Sequence, residues 1–189
     1  NGVEAPKVLQ PKSAPHPVIV FLGFLEYPPN RDAVEFFGGR IWPSVLDTFP
    51  QARFQVIGKG RPVPLKSMKN VEFRRYVDDL ASLYKSATTL VPPIRAGSGI
   101  KNKILEAMAH GVPVVATSLA VEGIGARVGQ HYLVAGTPEA FGAQVRKVLS
   151  TPELAQSIGM TGREFVQREF DWTRAIAELL KTYESVLKR

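Results

Sequence analysis

Short apolar runs alternate along the chain with longer segments in which apolar residues recur every three or four positions. An uninterrupted apolar run is typical of a parallel strand buried on both faces, and the longer spacing is typical of an amphipathic helix. The predicted strands are Val18–Phe24, Phe54–Ile57, Val71–Phe73, Thr88–Val91, Val112–Ala116 and His131–Val134. This alternation predicts an α/β fold: a single Rossmann-like, doubly wound parallel sheet of about six strands with helices on both faces.

The helices follow from the same spacing. An apolar stripe within Arg31–Phe49 predicts a helix capped by Asn30, which Pro43 should bend or split. Further helices are predicted at Asp79–Ser86, Ile100–His110, Thr137–Ser150, Pro152–Glu169 and Trp172–Lys188. Residues 1–17 hold four prolines and no periodic pattern, so we assign them to an extended linker, residues 18–170 to the domain and residues 171–189 to a C-terminal helix.

Composition places the chain among ordinary globular proteins. A length of 189 residues suits one domain, and 44% hydrophobic with 22% charged residues is usual for such a domain. No apolar run approaches the roughly 20 residues of a membrane span, and the N-terminus lacks the pattern of a signal peptide. A cytoplasmic protein is the simplest interpretation.

The net charge of +7 favours an anionic partner, such as nucleic acid, an anionic membrane surface or a phosphorylated small molecule. Charge alone does not choose among them, because lysine and arginine are spread over the whole chain. The sequence has no cysteine, which excludes thiolate zinc sites and cysteine nucleophiles, and its three scattered histidines argue against a histidine metal cluster. We therefore expect metal-free or weakly metal-dependent chemistry without a cofactor.

The fourth predicted strand leads into a glycine loop and a helix with the sequence PPIRAGSGIKNKILE, residues 92–106. In a doubly wound sheet, ligands bind beyond the carboxyl ends of the strands. Glycines allow a tight turn and a close approach to a ligand, while the start of a helix presents unpaired amides and partial positive charge. We expect a diphosphate site formed by Gly97, Ser98, Gly99 and Ile100 together with the cations Arg95, Lys101 and Lys103.

Helical geometry adds an acidic group to this site. It places Lys103, Glu106 and His110 on the face opposite the apolar arc, with Glu106 two turns into the predicted helix. A carboxylate there can accept hydrogen bonds from sugar hydroxyls beside a diphosphate. Structural alternatives stand beside this interpretation: Ser98 as an N-cap, and Glu106 paired with Lys103 or His110. Because the glycine spacing matches neither the dinucleotide fingerprint nor the P-loop, only the combination indicates a nucleoside diphosphate.

The same stretch carries a family signature. Residues 97–117, GSGIKNKILEAMAHGVPVVAT, resemble the donor-binding signature of the GT4 group (group 1) of retaining glycosyltransferases. The resemblance implies half of a GT-B fold, with this chain as the C-terminal domain that binds the nucleotide-sugar. It also implies that Glu106 binds the ribose, whereas Ser98 stands where the family usually has a glutamate that contacts the sugar.

The resemblance extends along nearly the whole chain. The other matching segments are LGFLEYPPNRDAVEFF at residues 22–37, IWPSVLDTFPQARFQVIGKG at 41–60 and SLAVEGI at 118–124. The family commonly holds the diphosphate with an arginine and a lysine after the first strand, and Arg31 is the candidate for that role here. The resemblance further implies that Arg75, Tyr76 and Val77 meet the base, with a core aromatic as the alternative for Tyr76.

The two ends of the chain resemble parts of the family that adjoin its other domain. Residues 1–4 resemble the crossover between the two domains, and residues 170–172 open a helix like the family's last one. The resemblance implies that an N-terminal acceptor-binding domain is missing and that this chain alone is an inactive fragment of a hexosyltransferase. It implies a UDP- or GDP-sugar donor, a polysaccharide or glycolipid acceptor, and peripheral contact of the parent enzyme with the inner face of the cytoplasmic membrane.

Two other functions are compatible with parts of the sequence. A sugar-nucleotide epimerase of the same GT-B fold would share the architecture, but the LEAMA stretch argues against it. A basic module that binds nucleic acid would suit the net charge, but no interleaving of aromatic and basic residues supports it. We therefore expect a nucleotide-sugar and no nucleic acid as the partner.

Overall fold

A computed structural model of the protein describes residues 2–9, 14–65, 69–77 and 79–187. Asn1, residues 10–13 of the predicted linker, and Lys188 at the end of the last predicted helix lie outside these ranges. The strands are β1 (Val18–Leu22), β2 (Arg53–Ile57), β3 (Val71–Arg74), β4 (Thr89–Leu90), β5 (Val115–Ala116) and β6 (Leu133–Val134). The helices are α1 (Pro28–Phe36), α2 (Trp42–Thr48), α3 (Leu80–Ser86), α4 (Asn102–Ala109), α5 (Pro138–Ser150), α6 (Pro152–Glu169) and α7 (Trp172–Leu187).

The strands pair in parallel as a four-stranded ladder in the order β3-β2-β1-β4 and a two-stranded ladder β5-β6. An isolated parallel bridge between Leu90 and Val114 joins the two. The predicted doubly wound α/β sheet is thus confirmed, although it consists of two ladders. Strand β5 is shorter than predicted and spans only Val115–Ala116, while Val114 before it forms the isolated bridge with Leu90.

The strand order reverses between β1 and β4. In a doubly wound sheet the loops after the two strands at such a point run to opposite faces and leave a crevice at the carboxyl edge. The loop after β1 leads into α1, and the loop after β4 leads into α4. The glycine loop predicted to bind a diphosphate therefore lies at the topological switch point of the sheet.

The helix predicted over Arg31–Phe49 is split, as the position of Pro43 suggested. It consists of α1, a π-helical turn at Phe37–Ile41, and α2, in whose first turn Pro43 lies. The prediction of Asn30 as N-cap is wrong, because Tyr27 is the N-cap of α1. Pro28 and Pro29 occupy the first helical positions, where a missing N–H leaves no hydrogen bond unmade.

An aromatic cluster fills the core on the side of α1, α2 and α5. The ring of Phe37 lies 4.6 Å from that of Phe54 on β2 and 5.9 Å from that of Phe141 on α5, centroid to centroid. Trp42 is fully buried and donates its indole N–H to the carbonyl of Lys69 at 3.0 Å. Burial of rings of this size contributes on the order of 2 kcal/mol each, which fixes this side of the sheet.

Helix α6 packs closely against α4 on the other side of the sheet. A Cβ atom on Gly159 would lie 2.2 Å from the carbonyl oxygen of Gly111, just beyond the end of α4. Arg163 of α6 donates hydrogen bonds to the carbonyls of Ala109 and Pro6. Helix α6 thus fixes the end of α4 and the N-terminal segment. None of the helices within the described ranges is both long enough and apolar enough to cross a membrane.

The contact between α6 and α4 can be tested with paired glycine substitutions. Gly159→Ala should lower the free energy of unfolding by about 1–3 kcal/mol, because the added methyl forces the two backbones apart. Gly39→Ala is the matched control: its Cβ would meet nothing within 4 Å, so it should be neutral or stabilise by up to roughly 1 kcal/mol. Urea unfolding of both variants measures the difference, and equal stabilities would contradict the close packing.

Candidate functional site

A cavity of about 230 Å³ lies at the carboxyl edge of the sheet, between the loops that follow β1 and β4. Its walls come from the start of α1 on one side and from the glycine loop and the start of α4 on the other. The lining residues are Tyr27, Pro29, Asn30, Ile94, Ala96, Gly97, Ser98, Lys101, Asn102 and Lys103. Four of the predicted diphosphate-binding residues, Gly97, Ser98, Lys101 and Lys103, therefore meet at one place, whereas Gly99 and Ile100 do not line the cavity. Tyr27 and Asn30, which the sequence did not assign to a site, also line it.

The glycine loop depends on backbone conformations that side chains disfavour. Gly97 has a φ of +99° and Gly99 a φ of +80°, both in the left-handed region. A Cβ on Gly97 would also lie 3.1 Å from the hydroxyl oxygen of Tyr27. The two glycines thus let the loop turn at the cavity wall and bring Ser98 to its surface.

Helix α4 begins two residues later than predicted. Its first residue is Asn102, and Lys101 is an N-cap with extended backbone and no capping side chain, so the interpretation of Ser98 as the N-cap is wrong. The positive φ of Gly99 keeps that residue out of a right-handed helix. The amides of Gly99 and Ile100 therefore belong to the loop, while the amides of Asn102 and Lys103 lie in the first turn of the helix, where no carbonyl of the same helix can accept from them.

Lys103 carries positive charge from α4 to the end of β1. Its Nζ donates to the carbonyl of Leu22 at 2.6 Å and to Oδ1 of Asn30 at 3.2 Å, and lies 4.5 Å from the centroid of the Phe21 ring. Withdrawal from solvent is the main reason that the pKa of Lys103 falls to about 7, and the nearby charge of Lys101 lowers it further. An anion in the cavity would raise this pKa again, because a nearby opposite charge favours the ammonium form.

Asn30 holds this arrangement from the opposite wall. Its side-chain amide donates to the carbonyl of Phe24 at 3.0 Å, which leaves Oδ1 free to accept from Lys103. The contact joins residues 73 positions apart in the chain. Asparagine is common at helix N-caps, so the local sequence pattern favours that role for Asn30. The contact with Lys103 depends on tertiary packing and is not evident from that pattern.

The remaining predicted cations are placed differently. Lys101 lines the cavity, and its Nζ donates to the carbonyl of Gly99 at 2.6 Å. Arg95 forms a bidentate ion pair with Asp32, with Nε 3.0 Å from Oδ2, while Arg31 donates to the carbonyl of Arg61. Neither arginine lines the cavity. The structure thus brings two of the four predicted cations together at the glycine loop.

Glu106 lies one turn into α4, outside the lining of the cavity. Its Oε2 accepts a hydrogen bond at 3.2 Å from the hydroxyl of Tyr84, which is almost fully buried on α3. The alternative in which Lys103 pairs with Glu106 is wrong, because the ammonium of Lys103 points to β1 instead. Burial, followed by the adjacent carboxylate of Glu106, raises the pKa of Tyr84 above its ordinary value, so the phenol stays a donor.

The segment predicted to meet the base follows β3 at the same edge of the sheet. Tyr76 is 67% exposed, so the alternative of a core aromatic is wrong, and Arg75 is exposed beside it. Val77 is partly buried against the core. Strand β3 is three places from β4 in the sheet order, which separates their carboxyl ends by roughly 14 Å at the usual strand spacing.

A larger cavity, of about 640 Å³, lies between α6 and the loop before β6. It contains none of the predicted site residues, and Arg127 and Arg168 share it with Glu164 and Glu169. Because this mixture favours neither sign of charge, we take the smaller cavity at the glycine loop as the candidate site. No group of three or more histidine or acidic side chains suited to a metal ion occurs in the described part of the chain.

Comparisons with known proteins identify the family of the chain. A family model described as "Glycosyl transferases group 1" matches residues 16–151. The phosphatidyl-myo-inositol mannosyltransferase of Mycobacterium leprae is 27% identical over 200 residues, which cover 98% of this chain and 52% of that protein. The chain thus spans about half the length of the curated relatives it matches.

Solved structures share the fold. Anabaena HepE, solved in complex with UDP and glucose, has a TM-score of 0.73 at 14% identity, over 89% of this chain and 48% of that one. The C-terminal domain of a glycosyl transferase group 1 family protein from Francisella tularensis has a TM-score of 0.66 at 16% identity, over 84% of this chain and 88% of that domain.

The buried ammonium of Lys103 makes stability depend on pH. The unfolded chain keeps this proton up to the ordinary pKa of 10.5, whereas the folded chain releases it near 7. Between these values the unfolded state binds more protons, so the free energy of unfolding should rise with pH. The contribution of Lys103 to this slope is at most about 1.4 kcal/mol per pH unit.

Lys103→Met should remove that contribution, and chemical unfolding between about pH 7.5 and about pH 9.5 measures it. Lys147→Met is the matched control, because Lys147 is exposed on α5, and it should keep the wild-type slope. A slope that is the same in the wild-type protein and in Lys103→Met would show that the ammonium is not withdrawn from water.

Proposed function

The chain belongs to the group 1 glycosyl transferases, and from that premise we propose that it is the donor-binding half of a glycosyltransferase that uses a nucleoside diphosphate sugar. The family inferred from residues 97–117 is thereby confirmed. The observation that carries the proposal is the meeting of Lys101, Lys103 and the glycine loop in one cavity at the switch point of the sheet. This is where doubly wound folds bind their ligands.

In the proposed complex, the diphosphate occupies the cavity at the start of α4. The ammonium groups of Lys101 and Lys103 and the N-terminal end of the helix lie on one side of it. In the loop, Gly97 and Ser98 border it and Gly99 and Ile100 follow directly, with the hydroxyl of Ser98 near the sugar. Arg31 contributes to the positive field from outside the cavity, whereas Asp32 balances the charge of Arg95.

The nucleoside extends from the diphosphate along the edge of the sheet. Glu106 accepts hydrogen bonds from the ribose hydroxyls, and the base meets Arg75, Tyr76 and Val77 after β3. The separation of roughly 14 Å between the ends of β3 and β4 suits a nucleotide in an extended conformation. The complexes of HepE with UDP support a nucleoside diphosphate as the ligand of this fold.

Transfer is proposed to proceed with retention at the anomeric carbon, as in the GT4 group. Negative charge builds up on the departing diphosphate, and groups that already point at it stabilise the transition state without reorganising. Lys101, Lys103 and the helix end are such groups. The mannosyltransferase relative supports a glycolipid acceptor, with a bacterial polysaccharide as the other acceptor of this proposal. The parent enzyme would then act at the cytoplasmic face of the membrane.

An N-terminal acceptor-binding domain is the proposed partner of this half. Helix α7 exposes one apolar face, in which Ile176, Leu180 and Tyr183 are each more than half exposed. Their spacing of four and three residues places them on one side of the helix. Exposed apolar faces of this kind mark contacts with another protein surface, and the proposed surface is a domain like the part of the relatives' length that this chain does not cover.

The donor site is tested by titrating the chain with UDP, GDP, ADP and inorganic pyrophosphate in a calorimeter. Glu106→Ala should weaken UDP or GDP roughly 10- to 100-fold, the contribution of hydrogen bonds to a charged group, while pyrophosphate is unaffected. Lys103→Met should weaken nucleotide and pyrophosphate by a similar factor, since it removes only a phosphate contact. Binding of none of the nucleotides, or equal loss of both ligands in Glu106→Ala, would contradict the proposed roles.

A further inference from the structure

The carboxylate assigned to the ribose is held by a residue on another helix. The hydroxyl of Tyr84 donates to Oε2 of Glu106 at 3.2 Å and lies 3.5 Å from the carbonyl oxygen of Lys103. The ring of Tyr84 stacks on His110 with centroids 4.8 Å apart, and only 1% of the residue is exposed. Helix α3 thus presents a fixed phenol to the side of α4 that carries the acidic group.

The two partners differ in how they are held. Tyr84 is buried and packed, so its hydroxyl has little freedom, whereas Glu106 is half-buried and would otherwise sample several rotamers. The bond occupies Oε2, and no hydrogen bond to Oε1 occurs among the residues that the structure describes. One carboxylate oxygen is therefore fixed, and the other is available to a ligand.

We propose that Tyr84 is a positioning residue that fixes the Glu106 carboxylate for the ribose and thereby makes the site prefer a nucleoside diphosphate to inorganic pyrophosphate. The inference rests on the proposed function, because it requires Glu106 to bind the ribose. Tyr84 touches no ligand in this arrangement and acts through the rotamer of Glu106. Because the raised pKa of Tyr84 keeps its hydroxyl protonated, the bond persists across the physiological pH range.

The decisive variant is Tyr84→Phe, which removes one oxygen and keeps the ring stacked on His110. It should weaken UDP binding roughly 3- to 10-fold, as expected for one lost hydrogen bond, and leave pyrophosphate binding unchanged. The ratio of the affinity for UDP to the affinity for 2′-deoxy-UDP should fall as well. Tyr132→Phe is the matched control, since Tyr132 is another largely buried tyrosine and lies outside the site; it should change neither ligand.

The ratio of the affinity for UDP to the affinity for pyrophosphate distinguishes a positioning role of Tyr84 from an effect of the substitution on folding. Partial unfolding of a variant reduces the competent fraction and so weakens both ligands by the same factor, leaving their ratio intact. An equal loss of UDP and pyrophosphate in Tyr84→Phe, or no loss of either, would overturn the proposal. So would a loss of UDP affinity that is as large in the Glu106→Ala background as in the wild-type protein, because the effect would not pass through Glu106.

The same measurements distinguish this inference from the function on which it rests. If Glu106→Ala lowers the preference for UDP over pyrophosphate and Tyr84→Phe does not, the ribose role stands and only the role of Tyr84 is overturned. If Glu106→Ala itself leaves that preference unchanged, the ribose role fails first. The result expected is selective loss in both single variants and little further loss in the double variant.

Discussion

The candidate site depends on one buried ammonium whose hydrogen-bond partners among the described residues are neutral. Lys103 reaches from α4 to the carbonyl of Leu22 at the end of β1 and to the amide of Asn30 on α1. In the described ranges no carboxylate forms an ion pair with it. Dipoles satisfy its hydrogen bonds without cancelling its charge, so the cost of burying that charge is only partly offset. An anion in the adjacent cavity would offset the rest of this cost. The burial of Lys103 therefore lowers the stability of the free protein and favours anion binding.

Arg95, by contrast, is a cation whose charge is balanced by an acidic side chain. Its guanidinium is paired in bidentate fashion with Asp32 and lies 4.3 Å from the centroid of the Phe36 ring. That pair is neutral overall and connects the loop after β4 to α1. In the free protein Arg95 therefore has a structural role and does not present an uncompensated charge to an anion. Two cations that look equivalent in the sequence thus have different roles, and the difference is set by whether an acid lies within reach.

The sequence predicts the architecture well because alternation and apolar spacing are local properties of the chain. Helix α6 was predicted with its observed bounds, and the glycine loop was placed correctly at the carboxyl edge. The start of α4 was predicted two residues early, since the extended backbone of Lys101 before the helix is not evident from residue types alone. Tyr84 and Asn30 were missed as site residues because their contacts span 22 and 73 positions. Such contacts depend on tertiary packing, which no local pattern encodes.

The size of the cavity bears on how the proposed chemistry is divided between two surfaces. At about 230 Å³ it falls below the roughly 300–1,000 Å³ typical of enclosed ligand sites, which suits a diphosphate better than a whole nucleotide-sugar. The remaining groups of the donor would lie along the open edge of the sheet, in contact with water. Sugar transfer requires exclusion of water, since water competes with the acceptor for the activated sugar. Under the proposed function, this half therefore supplies affinity for the leaving group, and a second surface must close over the sugar before transfer can compete with hydrolysis.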